Sequence, residues 1–162
     1  MRRLTDPKQA IFREMGFAPA RVWLAGAVAY SVGRTYNLLI RKLVRVYGHY
    51  GLSAASFNLL MLLKHGMDPE AMTQQAIGTR LVVSPSNMTG LIDRLERKGL
   101  VRRTPGKDRR SKLLRITAKG SQLLEEVWPH HVDVITTLCR ALEPQEAERL
   151  VRSLARLREQ CG

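Results

Sequence analysis

Residues 84–120 read SPSNMTGLIDRLERKGLVRRTPGKDRRSKLLRITAKG, and the fold turns on how this run is divided. Ser84 is a good helix N-cap, and Pro85 suits the first helical position, where a missing N–H leaves no hydrogen bond unmade. Met88, Leu91, Ile92 and Leu95 then fall at i, i+3, i+4 and i+7, one apolar stripe of a helix that Gly99 stops. At about 100° per residue, Ser86, Thr89, Gly90, Asp93 and Arg97 point away from that stripe, with Asn87 and Arg94 on its flank. Beyond Gly99, residues 100–104 and 112–117 read as two short strands, joined through Pro105-Gly106 and the loop Lys107-Asp108-Arg109-Arg110.

Upstream, Thr73 caps a short helix to Leu81 with Ala76, Ile77 and Leu81 on its inner face, and Val82-Val83 lead into the helix that Ser84 opens. Ser53 caps an earlier helix lined on one side by Phe57, Leu60, Met61 and the stem of Lys64, and Asp68-Pro69 mark the turn after it. Before Gly51 a long helix covers about residues 20–50, with Leu39, Leu43, Val46, Tyr47 and Tyr50 recurring at steps of three and four. At the standard rise it spans about 45 Å, more than one small domain covers, so it is expected to pack on a partner chain. Residues 22–32 (VWLAGAVAYSV) are too few to cross a bilayer, and the helical pattern continues past them, so they read as a buried helix. Residues 1–20 form an arm or a short helix. Downstream, Thr117 caps a helix to about Leu142, expected to kink at Pro129, and Pro144 opens a last helix striped by Leu150, Val151, Leu154 and Leu157.

Helix, helix and basic hairpin make a winged helix-turn-helix in outline, a mainly α fold of the α+β kind with a two-stranded basic wing. The expected division is an arm and dimerisation helix at 1–50, a DNA-binding domain at 51–117 and C-terminal dimerisation helices at 118–162.

Charge supports that outline. The 162 residues carry 27 lysines and arginines against 14 acids, a net +13, and such a surplus attracts polyanions, nucleic acid first among them. Residues 94–115 alone hold ten basic residues and two acids, whereas from Gly120 onward five arginines face seven acids. One face is thus built for a polyanion and one tail for something else. Ser86, Asn87 and Thr89 are small polar side chains able to reach base edges from a helix lying in the major groove. An ordinary amphipathic surface helix shares their pattern; the position between a short helix and a basic hairpin favours the reader of DNA. The paired arginines Arg109 and Arg110 suit the narrow minor groove, with Asp108 orienting a guanidinium by a forked pair.

The run 91–120 closely resembles the MarR family (multiple antibiotic resistance regulators). The residues that carry the resemblance are the wing signature Asp-x-Arg-Ser/Ala, present as Asp108-Arg109-Arg110-Ser111, and Leu-x-Ile-Thr-x-x-Gly ending at Gly120. Motif-level similarity covers roughly 52–120, and the order of elements matches from about residue 20 to the carboxyl end. The resemblance implies a cytoplasmic homodimer joined by the first helix and the last two, each subunit presenting a winged helix to half of a palindromic operator in double-stranded DNA. It places the minor-groove arginine at Arg110 and its supporting acid at Asp108. Base readers fall at Ser84, Ser86, Asn87, Thr89 and Gly90, and a backbone contact at Arg94. Many relatives carry a larger side chain at the position of Gly90, and glycine at that of Val82.

Such regulators are commonly released by small aromatic acids or by cysteine oxidation. Peroxide-sensing relatives place the reactive thiol near the start of the dimerisation helix, where neither Cys139 nor Cys161 lies. Two distant cysteines suggest no disulfide framework and fit a reducing cytoplasm. A small aromatic or anionic effector would draw on Tyr47, His49 and Tyr50, with the rings bounding a flat ligand and His49 meeting a carboxylate; core packing explains the same residues. His49, His65, His130 and His131 have no metal-ligand spacing, and no cofactor is implied. No phosphate loop, nucleophile elbow or zinc-protease helix is present, so an enzyme is not expected. The rival reading is an architectural DNA- or RNA-binding protein held by charge alone.

Overall fold

The computed structural model describes residues 6–17, 23–66, 68, 72–81, 83–106 and 112–161. In chain order these form α1 (Pro7–Glu14), α2 (Leu24–His49), α3 (Ala54–His65), α4 (Gln74–Leu81), α5 (Pro85–Arg97), β1 (Val101–Pro105), β2 (Lys112–Ile116), α6 (Ala118–Cys139) and α7 (Pro144–Glu159). The chain divides into two compact units, residues 1–45 and 46–162, with the division inside α2.

In the first unit Asp6 caps α1, accepting from the Lys8 amide at 3.0 Å, and Pro7 opens the helix. Ile11, Phe12 and Ala27 are buried together, and Tyr30 packs on them. The ring of Phe12 lies 5.2 Å from Trp23 and 5.5 Å from Tyr30. Residues 22–32 were expected to be buried, yet Leu24, Val28 and Val32 are exposed. Among the described residues of this unit, the side of α2 that carries Ala27 and Tyr30 is the one packed on α1.

The second unit is built around α3, which packs on α4, α5, α6 and β2, while α5 packs on α4 and β1. Leu59, Leu60, Ile77, Ile92 and Val127 are wholly buried at its centre. Three caps act as their sequence suggests. Ser53 accepts from the Ser56 amide at 3.1 Å, Thr73 from Ala76 at 3.2 Å and Thr117 from Gly120 at 3.0 Å. Gly99, at φ +69°, ends α5 in a left-handed conformation that other residues rarely adopt. The strands pair antiparallel from Val101 opposite Ile116 to Pro105 opposite Lys112. The chain before α4 joins them from the other side: Thr73 bridges Leu113, and the Leu114 amide donates to the Met72 carbonyl at 2.8 Å. Sequence reading missed this isolated bridge because two residues show no alternation.

Gly120 permits a close approach of two backbone segments in this unit. A Cβ built on it would stand 2.2 Å from the Leu100 carbonyl oxygen, so α6 can start against β1 only with glycine at that position. Pro129 lies inside α6, which runs unbroken through it. No residue of α7 is buried. Among the described residues no helix is long and apolar enough to cross a membrane, and no cluster of ligating side chains could hold a metal ion.

Candidate nucleic-acid interface

The apolar stripe of α5 is buried as its spacing requires: Met88, Leu91, Ile92 and Leu95 are all nearly inaccessible. That leaves Ser84, Ser86, Asn87, Thr89 and Arg94 exposed on the other side. Ser84 occupies the N-cap position but makes no capping hydrogen bond, contrary to expectation; its Oγ lies 3.4 Å from Ser86 Oγ. The hydroxyl is turned outward along the exposed face, and the position of the cap is held by backbone alone. A Cβ on Gly90 would meet only the guanidinium end of Arg94, at 3.5 Å, so the surface is open there.

Thr89 is less free than its exposure suggests. Its hydroxyl donates to the Pro85 carbonyl at 3.1 Å and accepts from Gln74 Nε2 at 2.7 Å. Gln74 is the first residue of α4, so this bond ties the opening of one helix to the exposed face of the next. A groove of about 840 Å³ runs between these two helices, with Gln74, Thr79, Ser84 and Met88 among its walls.

Arg103 on β1 joins the hairpin to α5. Its guanidinium donates to Asp93 at 2.6 Å and to Glu96, and its backbone amide donates to Glu96 at 3.1 Å. The hydrogen bond to Asp93, with the charges of Glu96 and Asp93, raises the Arg103 pKa above its ordinary value against the opposing effect of burial. Asp93, which points away from the apolar stripe as expected, is thus drawn against the hairpin. One of the ten cations counted in residues 94–115 serves the fold. Lys98 does likewise, donating to the Gly51 carbonyl at 2.6 Å and so closing the C-terminal end of α2. Local spacing could not reveal these pairs, since each joins residues from different elements. The wing tip, with Asp108, Arg109 and Arg110, and the turn residue Val82 lie outside the described residues.

The residues proposed to meet an effector separate. Tyr47 departs from the expectation of a ring free to bound a ligand. It is buried, its ring stacks on Phe57 with centroids 4.4 Å apart, and its hydroxyl meets His131 Nδ1 at 2.9 Å. Burial pushes its pKa up to about 12 and pulls that of His131 down. Tyr50 is half-buried with its ring 6.0 Å from His130, and His49 is exposed. A cavity of about 360 Å³ opens elsewhere, between α3 and α6, lined by Met61, Lys64, His65, Leu124, Glu125 and Trp128. Lys64 donates to Glu125 at its edge at 2.6 Å, holding that carboxyl below its usual range.

The sequence profile of the MarR family matches residues 52–112, the segment that holds α3, α4, α5 and the start of the wing. Over 119 residues the chain is 33% identical to YkoM of Bacillus subtilis, an uncharacterized HTH-type transcriptional regulator, covering 73% of this chain and 75% of that protein. This chain belongs to the MarR family.

Solved structures of MarR family regulators share its fold. AbsC from Streptomyces coelicolor superposes with a TM-score of 0.75 at 24% identity, covering 99% of this chain and 98% of that one. MepR of S. aureus, solved in complex with DNA, gives 0.74 at 21% identity, covering 83% and 96%. The mostly helical winged fold read from the sequence is the observed one. As a MarR family chain it is a transcriptional regulator, in which α4 and α5 form the helix-turn-helix and β1 and β2 the wing.

Proposed function

We propose that this chain is a sequence-specific DNA-binding repressor that works as a homodimer in the cytoplasm, holding a palindromic operator until a small aromatic or anionic effector releases it. The observation that carries the reading is the Arg103 bridge. By tying β1 to the outer side of α5, it makes the exposed face of the helix and the root of the wing parts of one surface. On this reading the amino end of α5 enters the major groove, where Ser84, Ser86, Asn87 and Thr89 meet base edges. The open surface at Gly90 lets the backbone come close, and Arg94 meets phosphate. The wing carries Arg109 and Arg110 toward the adjacent minor groove, with Asp108 orienting Arg110. MepR's structure with DNA supports such a use of this fold.

The cavity between α3 and α6 suits an effector better than Tyr47, whose ring and hydroxyl are both engaged. Trp128 offers an aromatic face, and Lys64 can exchange Glu125 for an incoming carboxylate. Competition tests the central claim. The protein is expected to prefer its own upstream region over bulk DNA by ~10³ or more at fixed salt. Equal binding to both would make it an architectural protein held by charge alone.

A further inference from the structure

The hydrogen bond between Gln74 and Thr89 decides which groups this surface presents to a base. A threonine hydroxyl has one proton to give and two lone pairs. Thr89 gives its proton to the Pro85 carbonyl, and one lone pair takes the Gln74 amide, so what remains outward is a single acceptor and a methyl group. Gln74 spends one of its two amide protons on Thr89. It keeps the other proton and the carbonyl oxygen, the fork that matches N7 and the N6 amino group of adenine in the major groove.

We propose that Gln74, although it lies outside the recognition helix, reads a base of the operator, and that it fixes Thr89 as an acceptor. The inference rests on the DNA-binding function proposed above. It names adenine as the base under Gln74. Thr89 is left with groups that suit the amino group of adenine or cytosine, or the methyl of thymine. Position on α4 is what conceals Gln74 from a reading of α5 alone: it is the first residue of the preceding helix, and its side chain crosses to the exposed face of α5.

A brace between two helices would show the same hydrogen bond, and the two roles differ in what they do to base preference. Selection of bound duplexes from a randomised pool, by the full-length wild type, Gln74→Ala and Gln74→Glu, separates them. Affinities are then measured on single-base variants of the wild-type consensus at one salt concentration. Gln74→Ala is expected to lose adenine preference at one base pair in each half-site by on the order of tenfold, with the other positions unchanged. Gln74→Glu removes every proton that could reach adenine N7 and supplies an acceptor for the cytosine amino group, so preference there is expected to move from adenine to cytosine. Melting curves should show both variants folded, since a carboxylate in the first turn of α4 is favoured by the helix dipole.

Recovery of the wild-type consensus at every position by both variants, with only a uniform drop in affinity, would reduce Gln74 to a brace and overturn the proposal. A wild-type protein that enriches no consensus would overturn the regulator reading first and this one with it. A wild-type consensus that Gln74 variants leave intact would overturn this one alone.

Discussion

Arg103 holds two carboxylates of the neighbouring helix at once, and its side chain is only 25% exposed. Replacing it leaves Asp93 and Glu96 side by side without their shared cation. Because Asp93 is 49% exposed, solvent screens part of the loss. Arg103→Met is expected to lower stability by about 1–2 kcal/mol, with a larger relative fall in DNA affinity because the wing loses its anchor on α5. Adding Asp93→Asn and Glu96→Gln should restore most of the stability but not the affinity. Denaturant melts and titrations with DNA check both halves; affinity unchanged by Arg103→Met would show that the wing keeps its place without the bridge. At this scale the capping threonines were legible and the bridge was not. Thr117 finds its partner three residues away, a spacing written in the chain, whereas Arg103 finds Asp93 only after the chain has turned at Gly99 and come back over α5.

Gly120 decides how α6 meets the wing. By helix propensity alone, Gly120→Ala would gain up to about 1 kcal/mol. The added methyl, however, would stand 2.2 Å from the Leu100 carbonyl oxygen and 2.9 Å from the Ile116 side chain, neither of which lies at the end of a flexible group. Overpacking of this kind costs about 1–3 kcal/mol, and a displaced backbone costs more, so the steric effect wins. The variant is expected to melt below the wild type in thermal denaturation; a higher melting temperature would mean that α6 moves away at little cost. Elements with their own local signals were read well. Ser84-Pro85, the stripe to Leu95 and Gly99 bound α5, and proline-glycine with flanking apolar residues announced the hairpin. The bridge before α4 went unread, because Thr73 meets the sheet only through its pairing with Leu113.

For the whole molecule the open question is what covers the terminal helices. Leu24, Val28, Val32 and Tyr36 recur every four residues along α2 and are all exposed, Leu24 by 67% and Tyr36 by 61%. On α7, Leu150, Val151 and Leu157 are exposed as well. The proposed dimer would bury these rows, and apolar area removed from water contributes roughly 25 cal/mol per Å². The full-length protein is therefore expected to sediment as a dimer at micromolar concentration, and Val28→Glu with Val32→Glu to shift it toward monomer. A stable wild-type monomer in ultracentrifugation would leave the rows without an owner. The sequence by itself determined the main helices, the caps at Ser53, Thr73 and Thr117, the hairpin and the family, because hydrophobic period, capping chemistry and turn residues act within a few neighbours. Only the tertiary structure decided that Arg103 serves α5, that Tyr47 belongs to the core and that Gln74 meets Thr89. Each of those contacts depends on where two separate elements pack, and packing is a property of volume and geometry that no single stretch of sequence contains.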